Sequence, residues 1–120
     1  MEINYLTTEE IIKIHDEIIK ETGGHSVILS KGNREFIVSQ VEITKTVERK
    51  AVILFHGILT KHPFVDGDKR TALEAAKVFL CLNGKTFKAT EDELWTNLHD
   101  ISEGKLKFEE VVIWIKERVV

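Results

Sequence analysis

Apolar and polar residues follow a helical spacing along most of this chain, and the first segment shows the pattern clearly. Isoleucines recur three, four and seven positions apart between residues 11 and 19, which is the spacing of an apolar stripe on one helix face. Thr7 and Glu10 form a capping box before the stripe, and Gly23-Gly24 after it accept the backbone conformation that ends a helix. We therefore predict a helix over about residues 8–22.

The same spacing predicts four further helices in the last two thirds of the chain. The predicted bounds are about 44–61, 69–82, 91–104 and 108–119. Pro63 ends the first of these because a proline disfavours helical backbone in the residue before it. Asn83-Gly84 ends the second, and Thr90 with Glu93 forms a capping box at the start of the third.

The stretch from His25 to Val41 has a different pattern that leaves two interpretations open. Lys31-Gly32-Asn33 lies between two short apolar runs, Val27-Ile28-Leu29 and Phe36-Ile37-Val38, as a β-hairpin requires. Two short runs do not settle the period, so an irregular stretch with a helical turn fits equally well. The predicted fold class is all-α: one compact bundle over residues 1–120, with a small hairpin as its only possible β-structure.

Composition and charge argue against disordered, nucleic-acid-binding and membrane-spanning proteins. With 42% hydrophobic residues, 31% charged residues and one proline, the 120-residue chain is typical of a globular domain. A formal net charge of −3 offers no basic field for nucleic acid, so we expect no direct nucleic-acid binding. No apolar run of about 18 residues and no signal-peptide pattern is present, which favours a cytoplasmic protein without a membrane partner.

The cysteine and histidine positions do not indicate a structural metal site. Cys81 is the only cysteine and lies within the apolar run Val78 to Leu82, so it has no internal disulfide partner and is predicted to be buried. The histidines outside residue 62 are scattered, and none forms a close pair at zinc-ligand spacing. A reducing compartment fits this pattern.

The polar loop between the second and third predicted helices carries the candidate chemistry. Lys69 and Arg70 open a helix whose positive dipole end they oppose, and an anionic ligand would remove that conflict. Arg70 can bind a phosphate through two parallel hydrogen bonds, and Gly67 lets the backbone approach it closely. These residues together predict a phosphate site.

Two further residues of this loop could do chemistry on a bound phosphate. Asp66 offers an oxygen ligand of the kind Mg²⁺ prefers beside substrate phosphates, and His62 can take a proton near neutral pH. Each residue alone also has a structural interpretation. His62 could end a helix, and Asp66 and Asp68 could form a turn. The combination within nine residues favours a catalytic site.

The segment from His62 to Arg70 resembles the signature of the Fic/Doc family. That signature reads His-Pro-Phe-x-[Asp/Glu]-Gly-Asn-[Gly/Lys]-Arg, and this chain matches every fixed position but one. The likeness extends over nearly the whole chain, with residues 25–43 the poorest fit. It includes Leu6-Thr7, Ile14-His15-Asp16, Arg70-Thr71-Ala72-Leu73, Leu82-Asn83-Gly84 and the last helix.

The resemblance implies a role for each residue of the motif. His62 would be the general base that deprotonates a hydroxyl of a target protein, and Asp66 would be the Mg²⁺ ligand. The ATP phosphates would be bound at Gly67, Asp68, Lys69 and Arg70. Family members with glycine at the position of Lys69 transfer AMP, whereas Doc-like members have lysine and transfer the γ-phosphoryl group, so Lys69 favours a kinase.

Family properties also imply partners for such an enzyme. The known family target of the Doc-like activity is elongation factor Tu, whose modification stops translation. Many Fic proteins carry an inhibitory [Ser/Thr]-x-x-x-Glu-[Gly/Asn] helix, but Glu103-Gly104 lacks the hydroxyl residue four positions earlier, where His99 stands. The resemblance therefore implies a toxin with a separate antitoxin chain of the Phd type.

One position departs from the family pattern. Asp68 stands where the family has asparagine, and an ionised aspartate cannot donate a hydrogen bond to a phosphate. Three hypotheses follow: a protein kinase, a Fic-type AMP transferase, and a weakly catalytic member that binds its antitoxin. Trp95 and Trp114 lie on helical patterns, where each is either a core or an interface residue.

Overall fold

The computed structural model describes residues 3–24, 35, 37, 39–41, 45–61 and 68–120, with the side chains of residues 61 and 68 excepted. Five helices have bounds that lie within these residues, and they form most of the architecture. They are α1 (Thr8–Thr22), α2 (Val47–Lys61), α3 (Asp68–Leu82), α4 (Glu91–Ser102) and α5 (Phe108–Arg118). The prediction of an all-α fold is confirmed for the described part of the chain. No helix among these residues has the length and apolar character needed to cross a membrane.

Helix α1 begins and ends where the sequence predicts. The Thr7 hydroxyl accepts a hydrogen bond from the Glu10 backbone N–H at 3.1 Å, and the Glu10 carboxylate accepts one from the Thr7 N–H at 3.0 Å. Gly23 follows the last residue with a φ of 77°, a value that glycine adopts without steric cost. Ile11 and Ile18 are buried from the stripe of isoleucines, so the predicted face is the packed face.

Helices α2 and α3 form the centre of the molecule and pack against each other more extensively than any other pair. Each contributes six buried apolar side chains to one core. They are Ala51, Val52, Leu54, Phe55, Ile58 and Leu59 of α2 and Ala72, Leu73, Ala75, Ala76, Phe79 and Leu80 of α3. Because α2 ends at residue 61 and α3 begins at residue 68, the polar loop connects the two central helices, as predicted.

The start of α2 was predicted too early. Residues 45 and 46 are not helical, and the helix begins at Val47 rather than near Thr44. The Thr46 hydroxyl accepts a hydrogen bond from the Arg49 N–H at 3.2 Å and so satisfies an end group of the helix. A threonine cap at residue 46 therefore sets the helix start.

Helices α4 and α5 both pack against α2. Thr90 and Glu93 form the predicted capping box at the start of α4, which ends at Ser102, two residues before Gly104. Helix α5 ends at Arg118 rather than Val119, because Val119 forms an antiparallel β-bridge with Phe87. Val120 and Thr86 exchange two backbone hydrogen bonds of 2.9 Å beside this bridge.

The described part of the segment before α2 is helical. Residues 35, 37 and 39–41 are in helical conformation, so of the two interpretations left open the one with a helical turn fits these residues, and the hairpin strand that included Ile37 does not. Ile37 packs so close to α2 that a Cβ on Gly57 would lie 2.9 Å from its side chain, and the Lys50 ammonium donates a hydrogen bond to the Val41 carbonyl at 2.7 Å. The apolar pattern of this segment fits a strand or a helix equally well, and its packing against α2 therefore determines that the described residues are helical. The predicted hairpin tip at residues 31–33 lies outside the described residues.

The prediction that Cys81 is buried is wrong. Its side chain is exposed in the last turn of α3, as is that of Leu82. An apolar run of five residues extends around more than one helix face, and here Phe79 and Leu80 are buried in the core while Val78 is partly buried against it. Asn83, directly after this turn, ties α3 to the N-terminal segment by accepting a hydrogen bond from the Asn4 N–H at 2.9 Å.

Candidate phosphate site and adjoining groove

Three of the predicted site residues, Asp68, Lys69 and Arg70, lie in the first turn of α3. Lys69 and Arg70 are both exposed there. His62, Asp66 and Gly67 lie outside the described residues, so their predicted roles stay predictions. Asp68 is the first residue of α3, but its side chain also lies outside what is described.

Neither cation of this turn has an acidic partner among the described residues. The side chain of Lys69 makes no hydrogen bond or ion pair with them, and the Arg70 guanidinium contacts only the face of Trp95, with its central carbon 5.9 Å from the ring centroid. Arg49, Lys85 and Arg118, by contrast, each pair with a glutamate. Two cations without an acidic partner among the described residues, at the positive end of a helix, are an arrangement that an anion would stabilise.

Thr71 adds an unsatisfied polar group to the same turn. Its side chain is fully buried, and its hydroxyl has no hydrogen-bond partner among the described residues. A buried hydroxyl left without a partner costs about 1–3 kcal/mol. The turn that carries the two cations thus also contains a buried hydroxyl without a hydrogen-bond partner among the described residues.

A groove of about 630 Å³ opens between α1, α3 and α4 beside this turn. Its floor is apolar and is formed by Leu6, Ile14, Ile18, Leu73, Leu94 and, at one end, Trp95. Its rim carries the glutamates 10, 17, 21, 74 and 91 and the cations Lys13, Arg70 and Lys77. Acidic side chains therefore outnumber basic ones, five to three, along the described rim.

Trp95 is a candidate site residue whose role the sequence left open. It is 43% exposed in the groove, whereas Trp114 is 9% exposed in the core. The Trp95 indole N–H donates a hydrogen bond of 3.2 Å to the Glu91 carboxylate, one helical turn earlier in α4. No local pattern relates Trp95 to Arg70, because the contact arises from the packing of two helices that are distant in sequence.

The described residues neither add a metal centre nor conflict with the predicted one. No group of three histidine, cysteine or acidic side chains that could hold a metal occurs among them. Mg²⁺ sites that serve phosphate chemistry use one or two carboxylates together with phosphate oxygens and water, so such a group is not required. Asp66 remains the predicted ligand.

Comparison with known proteins defines the class that this fold and loop represent. The family model described as the Fic/DOC family matches residues 5–80, which extend from before α1 to near the end of α3. The chain belongs to this family.

A characterised relative places the chain within the family. The chain is 35% identical over 89 residues to "Protein kinase doc" of Escherichia phage P1, and the aligned part covers 68% of this chain and 70% of that protein. It is therefore a Fic/Doc protein of the Doc type. The name of the relative also supports kinase-type chemistry, in agreement with the lysine at position 69.

Proposed function

We propose that this protein is a toxin that transfers the γ-phosphoryl group of ATP to a hydroxyl of a protein, and that its target is elongation factor Tu. The observation that carries the proposal is the pair of exposed cations, Lys69 and Arg70, which have no acidic partner among the described residues. A triphosphate at the start of α3 would interact favourably with both cations and with the helix dipole.

Each residue of the loop has a separate role in the proposed phosphoryl transfer. Lys69 and Arg70 hold phosphate oxygens, and Gly67 allows the backbone to approach them. His62 takes the proton of the attacking hydroxyl, so that the oxygen can form its bond to phosphorus while the bond to the ADP oxygen breaks. Asp66 would hold Mg²⁺, which neutralises charge on the phosphates. Asp68 lies next to these groups, and its carboxylate would oppose the phosphates unless a cation bridges them.

The groove is better suited to a protein partner than to the nucleotide. An acidic rim repels a triphosphate, whereas an apolar floor with charged edges accommodates one face of an amphipathic segment. We assign this surface to an antitoxin of the Phd type, whose docked segment would carry apolar side chains flanked by basic ones. Ile14→Asn, which interrupts the apolar floor without adding charge to a groove that Arg70 also lines, should weaken capture of the co-expressed antitoxin without changing ATP affinity, and unchanged capture would place the antitoxin elsewhere.

The experiment that tests the proposed activity uses ATP labelled at the α-phosphate or at the γ-phosphate, in parallel reactions with purified elongation factor Tu. Phosphoryl transfer predicts label on the acceptor from γ-labelled ATP alone. Label from α-labelled ATP would show AMP transfer. No label from either, with a folded protein that still binds its antitoxin, would favour the weakly catalytic alternative that Asp68 raises.

His62→Ala is the matched control in this assay. The variant should fail to label the acceptor in either reaction because it lacks the proposed base. Equal labelling by the variant and the wild-type protein would assign the activity to a contaminant or to a different base.

A further inference from the structure

Arg70 reaches across from α3 to α4 and lies over an aromatic ring instead of pairing with a nearby acid. Its guanidinium carbon is 5.9 Å from the centroid of Trp95, within the range of a cation–π contact. Glu74, four residues later on the same helix, is at the spacing of a helical ion pair, yet no such pair forms. We call Glu91, Trp95 and Arg70 the Trp95 cluster.

Glu91 fixes the ring on which Arg70 lies. Its carboxylate accepts the indole N–H of Trp95 at 3.2 Å, which restrains rotation of the ring in an otherwise exposed side chain. The carboxylate that is nearest to this ring is thus engaged with the indole. The Trp95 cluster thereby presents the Arg70 guanidinium to solvent with its N–H donors unused by the described residues.

A contact with the ring face has a specific consequence for anion binding. A guanidinium held by a cation–π contact forms no hydrogen bond to a carboxylate there, so its N–H donors that do not face the ring remain available. The same group in an ion pair with Glu74 would spend two of those donors on a carboxylate, and a phosphate would have to displace it. The ring therefore holds Arg70 in place without competing for the ligand.

We propose that Trp95 is a positioning residue for the phosphate site, acting through Arg70. The inference rests on the proposed function, since it takes Arg70 as a phosphate ligand. It concerns a residue beyond the matched family region, which ends at residue 80. Without the ring, Arg70 loses its fixed position and becomes available to Glu74 or Glu91, so phosphate binding weakens.

Titration calorimetry of ATP with Mg²⁺ tests this role in three proteins: the wild type, Trp95→Leu and Trp95→Phe. An exposed cation–π contact accounts for a change of about two- to five-fold in affinity, so Trp95→Leu should raise the Kd by that factor. Trp95→Phe keeps a ring face and should recover most of the loss. Ile113→Ala, which truncates an exposed side chain of α5, is the matched control and should bind as the wild type does.

A double-substitution cycle with Arg70→Met separates positioning from a general effect on the fold. If Trp95 acts through Arg70, Trp95→Leu should have no further effect on the Kd once Arg70 is methionine. A further loss of the same size in that background would overturn the inference, as would wild-type affinity in Trp95→Leu alone. Absence of ATP binding by the wild-type protein would instead overturn the proposed function, and the positioning role with it.

Discussion

Two tryptophans of this protein each donate an indole N–H to a glutamate in the first turn of α4, and their surroundings differ. Trp114 donates to Glu93 at 2.5 Å from within the core, where its ring meets that of Phe87 edge to face at 5.4 Å. Trp95 donates to Glu91 at 3.2 Å from an exposed position in the groove. One short stretch of helix thus supplies the same hydrogen bond to a buried ring and to an exposed one.

The arginine that accompanies each tryptophan shows what the difference means. Arg118 pairs with Glu93, with its Nε atom 2.6 Å from the carboxylate that Trp114 also contacts, so charge and donors are used within the fold. Arg70 lies on the face of Trp95 and pairs with no described acid. We call Glu93, Trp114 and Arg118 the Trp114 cluster. Its charged groups pair with each other and stabilise the fold, whereas the Trp95 cluster leaves the Arg70 guanidinium available to a ligand.

If the loop and helix turn beside the Trp95 cluster form a catalytic site, a substitution there should abolish the phosphorylation activity without lowering the stability of the fold. His62→Ala should lower the rate of acceptor phosphorylation by a factor on the order of 10² to 10⁴, because it removes the general base. The Tm should stay within a few degrees of wild type. Phosphorylation assays and thermal melts on the same samples measure both.

Either of two results would contradict this expectation. A variant that melts far below the wild type would favour a structural role for His62 at the end of α2. A variant with full activity would mean that another group accepts the proton of the attacking hydroxyl.

Truncation of the two tryptophans should separate the clusters by stability. Trp114→Ala removes a buried ring and should cost about 3–5 kcal/mol of unfolding free energy, whereas Trp95→Ala should cost about 1 kcal/mol or less. Denaturant unfolding of both variants measures the difference. Equal losses would mean that the Trp95 cluster is also a structural support.

Local sequence signals account for most of the fold. Capping boxes at Thr7 and Thr90 predicted two helix starts, because such a cap is completed within four residues of chain. The burial of Cys81 was predicted wrongly and the conformation at Ile37 was left open, because both depend on which neighbouring helix a short apolar run meets. The sequence pattern contains no information of that kind.

The candidate site also has a part that could be predicted from the sequence and a part that could not. Lys69 and Arg70 could be identified from sequence because they are adjacent and oppose the dipole of a predicted helix. Trp95 could be placed on a helix but not beside Arg70, since that contact depends on how α3 and α4 pack. The sequence could therefore predict the candidate ligands, whose role stays a prediction, but the neighbours of those ligands became visible only in the structure.

Asp68 provides a smaller test of the charge balance in the turn. If its carboxylate faces the phosphates, it offsets part of the positive charge of Lys69 and Arg70, and Asp68→Asn should tighten ATP binding by roughly tenfold in EDTA. Mg²⁺ should narrow the difference, because a cation between the carboxylate and the phosphates converts repulsion into ligation. Calorimetric titration of both proteins, with Mg²⁺ and with EDTA, measures each affinity.

The direction of the change distinguishes the possible roles of Asp68. Equal affinities in EDTA would mean that the carboxylate points away from the phosphates. Weaker binding by the asparagine variant would make Asp68 a required ligand, which would favour an active enzyme despite its departure from the family pattern.

The smallest expected effect concerns pH and the Trp114 cluster. The hydrogen bond from Trp114, aided by the Thr90 N–H and by Arg118, holds the pKa of Glu93 below its ordinary value of 4.5, although partial desolvation opposes this. A carboxylate with a lowered pKa in the folded state stabilises the fold above its unfolded pKa and loses that contribution as pH falls through the folded value. Glu93→Gln keeps an oxygen acceptor for the indole but carries no charge, so its Tm should lie below that of the wild type at pH 7, and this difference in Tm should close below about pH 4.5.

Thermal melts from pH 7 to pH 3 measure the difference in Tm, with Ile113→Ala as a control whose difference from the wild type should not depend on pH. A gap for Glu93→Gln that stays constant over this range would mean that Glu93 ionises alike in the folded and unfolded chains, and that the Trp114 cluster stabilises the fold by packing alone.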